Sequence, residues 1–233
     1  MADPTILTGR ILITGGGSGL GAAVADAVDA AGGAPIILDR DVSNVGGHTA
    51  YEADVSDGRA VEERVRAIVE EQGGLEAVVT AAGIDRCGRL EDVAAEEWER
   101  VIAVNLLGTV AVVRAALPAL MSSRGRVVTV ASSLALKAVS DATAYCASKF
   151  GVLGFSRALA AETRGQIGVT TLVPSGMRTH FFDDRDEKYK PSDDANLNDP
   201  TAVANAVLFA LGQPEGCEVR ELVICHEEEE SWP

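Results

Sequence analysis

The chain has 233 residues and carries 20 basic against 35 acidic side chains, a net charge of −15. Such a surplus of negative charge speaks against nucleic acid and anionic membrane surfaces as partners. With 47% hydrophobic but only 4% aromatic residues, the core must come from Ala, Val, Leu and Ile, which suits helices laid over a parallel sheet in one α/β domain.

Cys87, Cys146, Cys217 and Cys225 are scattered without a CxxC pair, and the His residues are not clustered. Neither a metal site nor a disulfide framework is expected. No apolar stretch approaches the roughly 18 residues of a membrane span. The start, Met1 to Arg10, lacks the basic region and apolar run of a signal peptide. These features predict a soluble cytoplasmic protein with reduced thiols.

In chain order, Arg10–Thr14 is a short β-branched run that stops at a glycine-rich turn, Gly15 to Gly21. Leu20, Val24, Ala27, Val28 and Ala31 then recur at helical spacing and close at Gly32 and Gly33. Pro35 to Leu38 is a second strand ending in Asp39, which completes a βαβ unit. Asp54 and Val55 end another short segment. Alternation continues with a helix over Arg59 to Gln72, a strand over Leu75 to Thr80 and a long helical tract from Ala94 to Met121. A strand at Arg126 to Ser132 and a helix at Ala142 to Thr163 follow. Val169 to Val173 and Glu218 to Cys225 read as strands around a helix at Thr201 to Leu211. This pattern predicts a doubly wound parallel sheet with helices on both faces. His180 to Asp199 is polar and acidic and reads as a loop or lid over a site.

The glycine turn follows a strand and opens a helix, the context in which backbone amides and a helix N-terminus hold a diphosphate. Gly15, Gly17, Ser18, Gly19 and Leu20 are the candidate contacts. Asp39, 20 residues after Gly19, is placed to accept the adenosine ribose hydroxyls and to repel a 2′-phosphate, favouring NAD over NADP. Arg40 beside it is the feature that would suit NADP. Asp54 and Val55 either frame the adenine or, for Asp54, cap a helix before Ser56. In the stretch TAYCASKF, Tyr145 and Lys149 stand one helical turn apart, so phenol and ammonium share a face and the cation favours the ionised phenol.

TGGGSGLG, Asp54 with Val55, Ala81–Ala82–Gly83, Asn105 in NLLGT, the serine ending VVTVAS and YCASK together resemble the short-chain dehydrogenase/reductase family across nearly the whole chain. The resemblance implies a Rossmann-like single domain over residues 1–233. Its dinucleotide-binding half runs to about 125, a catalytic half spans about 126–226, and an acidic tail occupies 227–233. It implies Tyr145 as general acid/base and Lys149 as the nicotinamide-ribose ligand that lowers the tyrosine pKa. Ser132 would polarise the substrate carbonyl, with Ser133 as understudy, and Asn105 would hold a water linked to Lys149. Ala81, Ala82, Gly83 and Thr179 join the cofactor contacts.

Thr80 stands where the family often has Asn, Ser175 follows Pro174 where it usually has Gly, and the last strand lacks a glycine-rich ending. The expected activity is interconversion of a small-molecule secondary alcohol and ketone. The alternatives are an NADPH-dependent 3-oxoacyl thioester reductase, which Asp39 and the acidic charge oppose, and a non-catalytic dinucleotide sensor. A homotetramer or homodimer through the Trp98 to Met121 and Ala142 to Thr163 helices is implied, and Trp232 could pack on a neighbouring subunit. Leu134 to Val139, Ser175 to Met177 and the His180 to Asp199 loop, with Phe181 or Phe182 as walls, are expected to shape the substrate pocket.

Overall fold

The computed structural model describes residues 9–192 and 195–229. The readings of the N-terminal start and of Trp232 therefore fall largely outside the described residues. Seven parallel strands form one sheet in the order β3-β2-β1-β4-β5-β6-β7. They are β1 (Arg10–Thr14), β2 (Ala34–Asp39), β3 (Thr49–Glu52), β4 (Ala77–Thr80), β5 (Arg126–Val130), β6 (Gly168–Pro174) and β7 (Glu221–Ile224). The helices are α1 (Gly19–Ala30), α2 (Gly58–Gln72), α3 (Ala95–Ile102), α4 (Thr109–Ser123), α5 (Thr143–Glu162) and α6 (Pro200–Leu211).

Two cores follow from the period-two alternation of strand side chains. Leu12, Leu38, Val78 and Val127 point to the face covered by α2 and α4. Ile13, Ile37, Val79 and Val128 point to the face covered by α1 and α6. Leu12 and Ile13 are both fully buried, so a polar residue at either would lose roughly 1.5–3 kcal/mol of apolar burial. Local signals fix the helix ends: Asp57 Oδ1 accepts from the Ala60 amide at the start of α2, and Gly73, at φ 73°, closes it. The strand order reverses at β1, so the gap between the carboxyl ends of β1 and β4 is the place where ligands bind in such sheets.

Three expectations need correction. The segment before Asp54 is a true edge strand, β3, whose alternating TAYE pattern was too short and too polar to be read as one. The α2 cap is Asp57 rather than Asp54. The long helical tract expected from Ala94 is present and carries a π-helical segment, Ala103–Gly108, between α3 and α4. That tract, 95–123, is long and apolar enough by composition to cross a membrane, contrary to the expectation that no stretch is. More than half of its most apolar window is buried against the sheet, as with Val112, Ala116 and Leu120, which is how a core helix reaches the same composition.

Candidate active site

A cavity of about 650 Å³ opens at the carboxyl ends of the strands and takes its walls from the β1–α1 turn, the ends of β4 and β5, α5 and the segment after β6. Its dinucleotide end is built from backbone. Gly15 sits at φ 70°, and a Cβ there would stand 2.7 Å from the Ala82 backbone. A Cβ at Gly21 would stand 2.1 Å from the Gly15 carbonyl. Only glycine lets these chains approach so closely. Ser18 begins α1 with extended backbone and no side-chain cap, so the first-turn amides of a 12-residue helix face the groove, as a diphosphate requires.

Asp39 is held by two amides, Gly17 N to Oδ2 at 2.8 Å and Asp41 N to Oδ1 at 3.1 Å. Gly17 therefore acts by orienting Asp39 and does not line the cavity, whereas Gly15, Ser18, Gly19, Leu20, Asp39 and Arg40 do. Asp54 and Val55 line it as well. Asp54 Oδ1 accepts from Ser56 N at 2.8 Å, and Ser56, through its hydroxyl first and its amide second, holds the Asp54 carboxyl below its ordinary value. Ala81, Ala82 and Gly83 form the facing wall, pinned by Ala82 N to Thr14 Oγ1 at 3.2 Å. Thr179 abuts Gly19 across the groove, its Cβ 3.5 Å from a notional Gly19 Cβ. These residues fit a dinucleotide: a glycine cradle, a free helix start and an oriented carboxylate.

At the other end, Ser132, Tyr145 and Lys149 converge on the cavity. Ser132 follows β5 and starts a short 3-10 turn, with Oγ accepting from Leu134 N at 3.2 Å. Its hydroxyl is also hydrogen bonded to the Tyr145 phenol. Ser133 lines the cavity beside it. Lys149 is 5% exposed and donates to the Val130 carbonyl at 2.9 Å, with Nζ 5.5 Å from the Tyr145 ring centre. Burial drives the Lys149 pKa down to about 8, opposed by Asp85. Burial pushes the Tyr145 phenol above its ordinary value, opposed chiefly by the Ser132 hydrogen bond. This differs from the expectation that the ammonium would lower the phenol pKa. In the protein alone desolvation dominates the phenol, while the ammonium donates to the Val130 carbonyl.

Asn105 lies in the π-helical segment, a feature that often marks functional positions. It is 1% exposed. Its Oδ1 accepts from Ile84 N at 2.8 Å, and Nδ2 donates to the Ile84 carbonyl at 2.9 Å and to Ser148 Oγ at 3.0 Å. The Asn105 side chain thus clamps the strand exit at Gly83–Ile84 to α5 one residue before Lys149. It does not line the cavity, and both Nδ2 hydrogens are engaged while Oδ1 keeps a second lone pair. Ser175 accommodates the missing glycine: its amide bonds to Ile224 O and its hydroxyl accepts from Asn198 Nδ2, both at 2.9 Å.

Of the segments expected to shape the pocket, Leu134, Ser175 to Met177, Phe181 and Phe182 line the cavity, whereas residues 135–139 do not. Sequence reasoning missed Asp85 and Arg185, which also line the cavity and form an ion pair at 2.6 Å with side chains 3% and 18% exposed. The two residues are 100 positions apart, and no local pattern marks either one.

The family model for short chain dehydrogenases matches residues 10–190. An uncharacterized oxidoreductase of Staphylococcus aureus is 31% identical over 232 residues, covering 94% of this chain and 98% of that protein. A D-threitol dehydrogenase of Mycolicibacterium smegmatis is 33% identical over 189 residues, covering 75% and 73%. An alcohol dehydrogenase of Thermococcus sibiricus, solved with 5-hydroxy-NADP, superposes with a TM-score of 0.87 at 24% identity, covering 96% of this chain and 99% of that one. The chain belongs to the short-chain dehydrogenase family. It is an NAD(P)-dependent oxidoreductase acting on CH–OH groups.

Proposed function

We propose that this protein interconverts a secondary alcohol and a ketone with NAD(H), using Tyr145 as general acid/base. The observation that carries the reading is the convergence of Ser132, Tyr145 and Lys149 at one end of the cavity whose other end holds Asp39. When bound, the nicotinamide supplies hydride chemistry. In oxidation Tyr145 takes the substrate hydroxyl proton as the hydride leaves the adjoining carbon, while Ser132 donates to the developing carbonyl oxygen. Lys149 supplies positive charge beside the phenol and a donor for the ribose; Asn105 holds the Gly83–Ile84 exit and α5 in register. The relative named for D-threitol supports a polyol or other polar alcohol. NAD is favoured because Asp39 is fixed by two amides with its charge toward the ribose site. Leu107 and Phe150, 55% and 44% exposed, suit self-association beside α4 and α5.

The test is reduction of NAD by the purified protein over a panel of secondary alcohols and polyols, with NADH and NADPH compared by thermal shift. Turnover with NAD and larger stabilisation by NADH are expected. Larger stabilisation by NADPH overturns the cofactor preference. NADH binding without turnover across the panel replaces the enzymatic reading with the sensor.

A further inference from the structure

Asp85 is a buried carboxylate that the proposed reaction does not use. It stands two residues after Gly83, where the chain leaves β4. Its Oδ1 accepts from the Arg86 amide at 2.7 Å, and its Oδ2 accepts from Cys87 Sγ at 3.2 Å and from Arg185 Nη2 at 2.6 Å. The same loop is tied to the start of α5 through Gly88 N and the Asp141 carbonyl at 2.8 Å, so Asp85 is fixed relative to Tyr145. Its countercharge comes from the segment between β6 and α6. There Arg185 donates to the Tyr189 carbonyl at 3.2 Å, lies 4.6 Å over the Phe182 ring and flanks Phe181 at 5.7 Å. Phe181 in turn meets Tyr145 edge-on, with ring centres 5.9 Å apart. One guanidinium thus joins the lid, its aromatic wall and a buried acid beside the phenol.

We propose that Asp85 and Arg185 form a latch that holds the His180–Tyr189 lid over the reaction site and positions Tyr145 for proton transfer. The inference rests on the reading of Tyr145 as the acid/base. Closed, the pair presents Tyr145 with nearly cancelling charges. Open, it leaves the phenol facing Asp85 alone, which disfavours phenolate. Asp85 raises and Arg185 lowers the phenol pKa in the closed structure, consistent with this balance. Lys149 from α5 is the further charge that acts on Asp85, and Asp141 at the α5 start acts on Cys87 in the same loop. The lid therefore does more than exclude water: an unlatched site holds less of the phenolate that takes the substrate proton. A polar substrate that bridges the lid and the Asp85 loop would favour the latched state.

Hydrogen exchange across residues 178–190 in the cofactor-free protein, read for wild type, Asp85→Asn and Arg185→Met, tests the latch without any turnover. Both variants are expected to exchange faster there than wild type, with other segments unchanged; equal exchange in all three overturns the latch. Kinetics then test positioning. Arg185→Met is expected to lower kcat by roughly 10- to 100-fold because it strands a buried carboxylate, and Asp85→Asn/Arg185→Met to regain at least about 5-fold of that loss. Losses that multiply in the double variant, or that fall on KM alone, refute positioning. Should Arg185→Met fail to fold, Arg185→Lys, which keeps the charge but not the stacked fork, must show faster lid exchange with a smaller kcat loss for the proposal to stand. A wild type inactive on every alcohol would sink the proposed function, while the exchange data would still decide the latch.

Discussion

The two ends of the cavity are made in different ways. The dinucleotide end is mostly backbone: two glycines that admit no Cβ, an open helix start, and an aspartate whose oxygens take the amides of Gly17 and Asp41. The reaction end is mostly side chain. It buries an ammonium, encloses a phenol and a carboxylate, and closes with residues from β4, α5 and the lid. Backbone amides are rigid, uncharged donors that hold an anion at little cost in desolvation. Buried ionisable groups are costly to place and have shifted pKa values, Lys149 downward and the Tyr145 phenol upward. Substitutions at the reaction end should act on kcat, and those at the dinucleotide end on cofactor choice and affinity.

The largest effect is expected from Tyr145→Phe. It removes the proton carrier and the Ser132 partner without changing the ring that meets Phe181, so kcat should fall by about 10²–10⁴-fold while NADH affinity changes little. Steady-state kinetics with an NADH titration check this. Loss of NADH binding in parallel would erase the contrast between the two ends.

Lys149→Met should lower kcat by roughly 100-fold and leave a signature in stability. With the folded pKa near 8 and burial as the main cause, the unfolded chain binds more protons than the folded one from about pH 8 up to the ordinary lysine value of 10.5. Wild-type stability should therefore gain across that window relative to Lys149→Met, by roughly 3 kcal/mol in full and with the penalty complete below pH 8. Urea midpoints measured at pH 7, 8.5 and 9.5 on both proteins test it. A difference that stays constant with pH would mean that Lys149 is not desolvated.

Asp39→Ala tests the other end. It removes the acceptor of two amides and the charge that the proposed NAD preference rests on, so the ratio of kcat/KM for NAD over NADP should fall by about 10- to 100-fold with kcat on NAD reduced less. A ratio that does not move would assign the preference to Arg40 or Ser18 in place of Asp39.

The same division explains what could be read without coordinates. The glycine turn, Asp39 and the Tyr145–Lys149 pair lie within short stretches whose spacing carries their geometry, Ser132 was named only through the family resemblance, and the doubly wound sheet follows from alternation alone. The latch was not legible, because Asp85 and Arg185 meet only through the fold and each reads as an ordinary surface charge. β3 is four residues with an exposed edge pattern, below what period-two reasoning resolves. The π-helical turn at Asn105 has no sequence signature of its own; it shows only in where the side chain of Asn105 ends up.

The smallest expected effect sits at the seam between the ends. Thr14, Thr80 and Thr129 lie side by side on β1, β4 and β5. Thr14 Oγ1 accepts from the Ala82 amide at 3.2 Å and Thr129 Oγ1 shares a hydrogen bond with Ser156 at 2.7 Å. Thr80 is 2% exposed, and its Oγ1 is buried with no partner. A buried hydroxyl without a partner costs its desolvation and gains nothing back. Thr80→Val keeps the shape and should stabilise the fold by about 1 kcal/mol, whereas Thr14→Val strands the Ala82 amide and should cost about 1–2 kcal/mol. Urea unfolding of the two variants decides: stabilisation at Thr80 with loss at Thr14 places the tie between the glycine turn and the β4 exit on Thr14, while destabilisation at both would show that Thr80 also carries it.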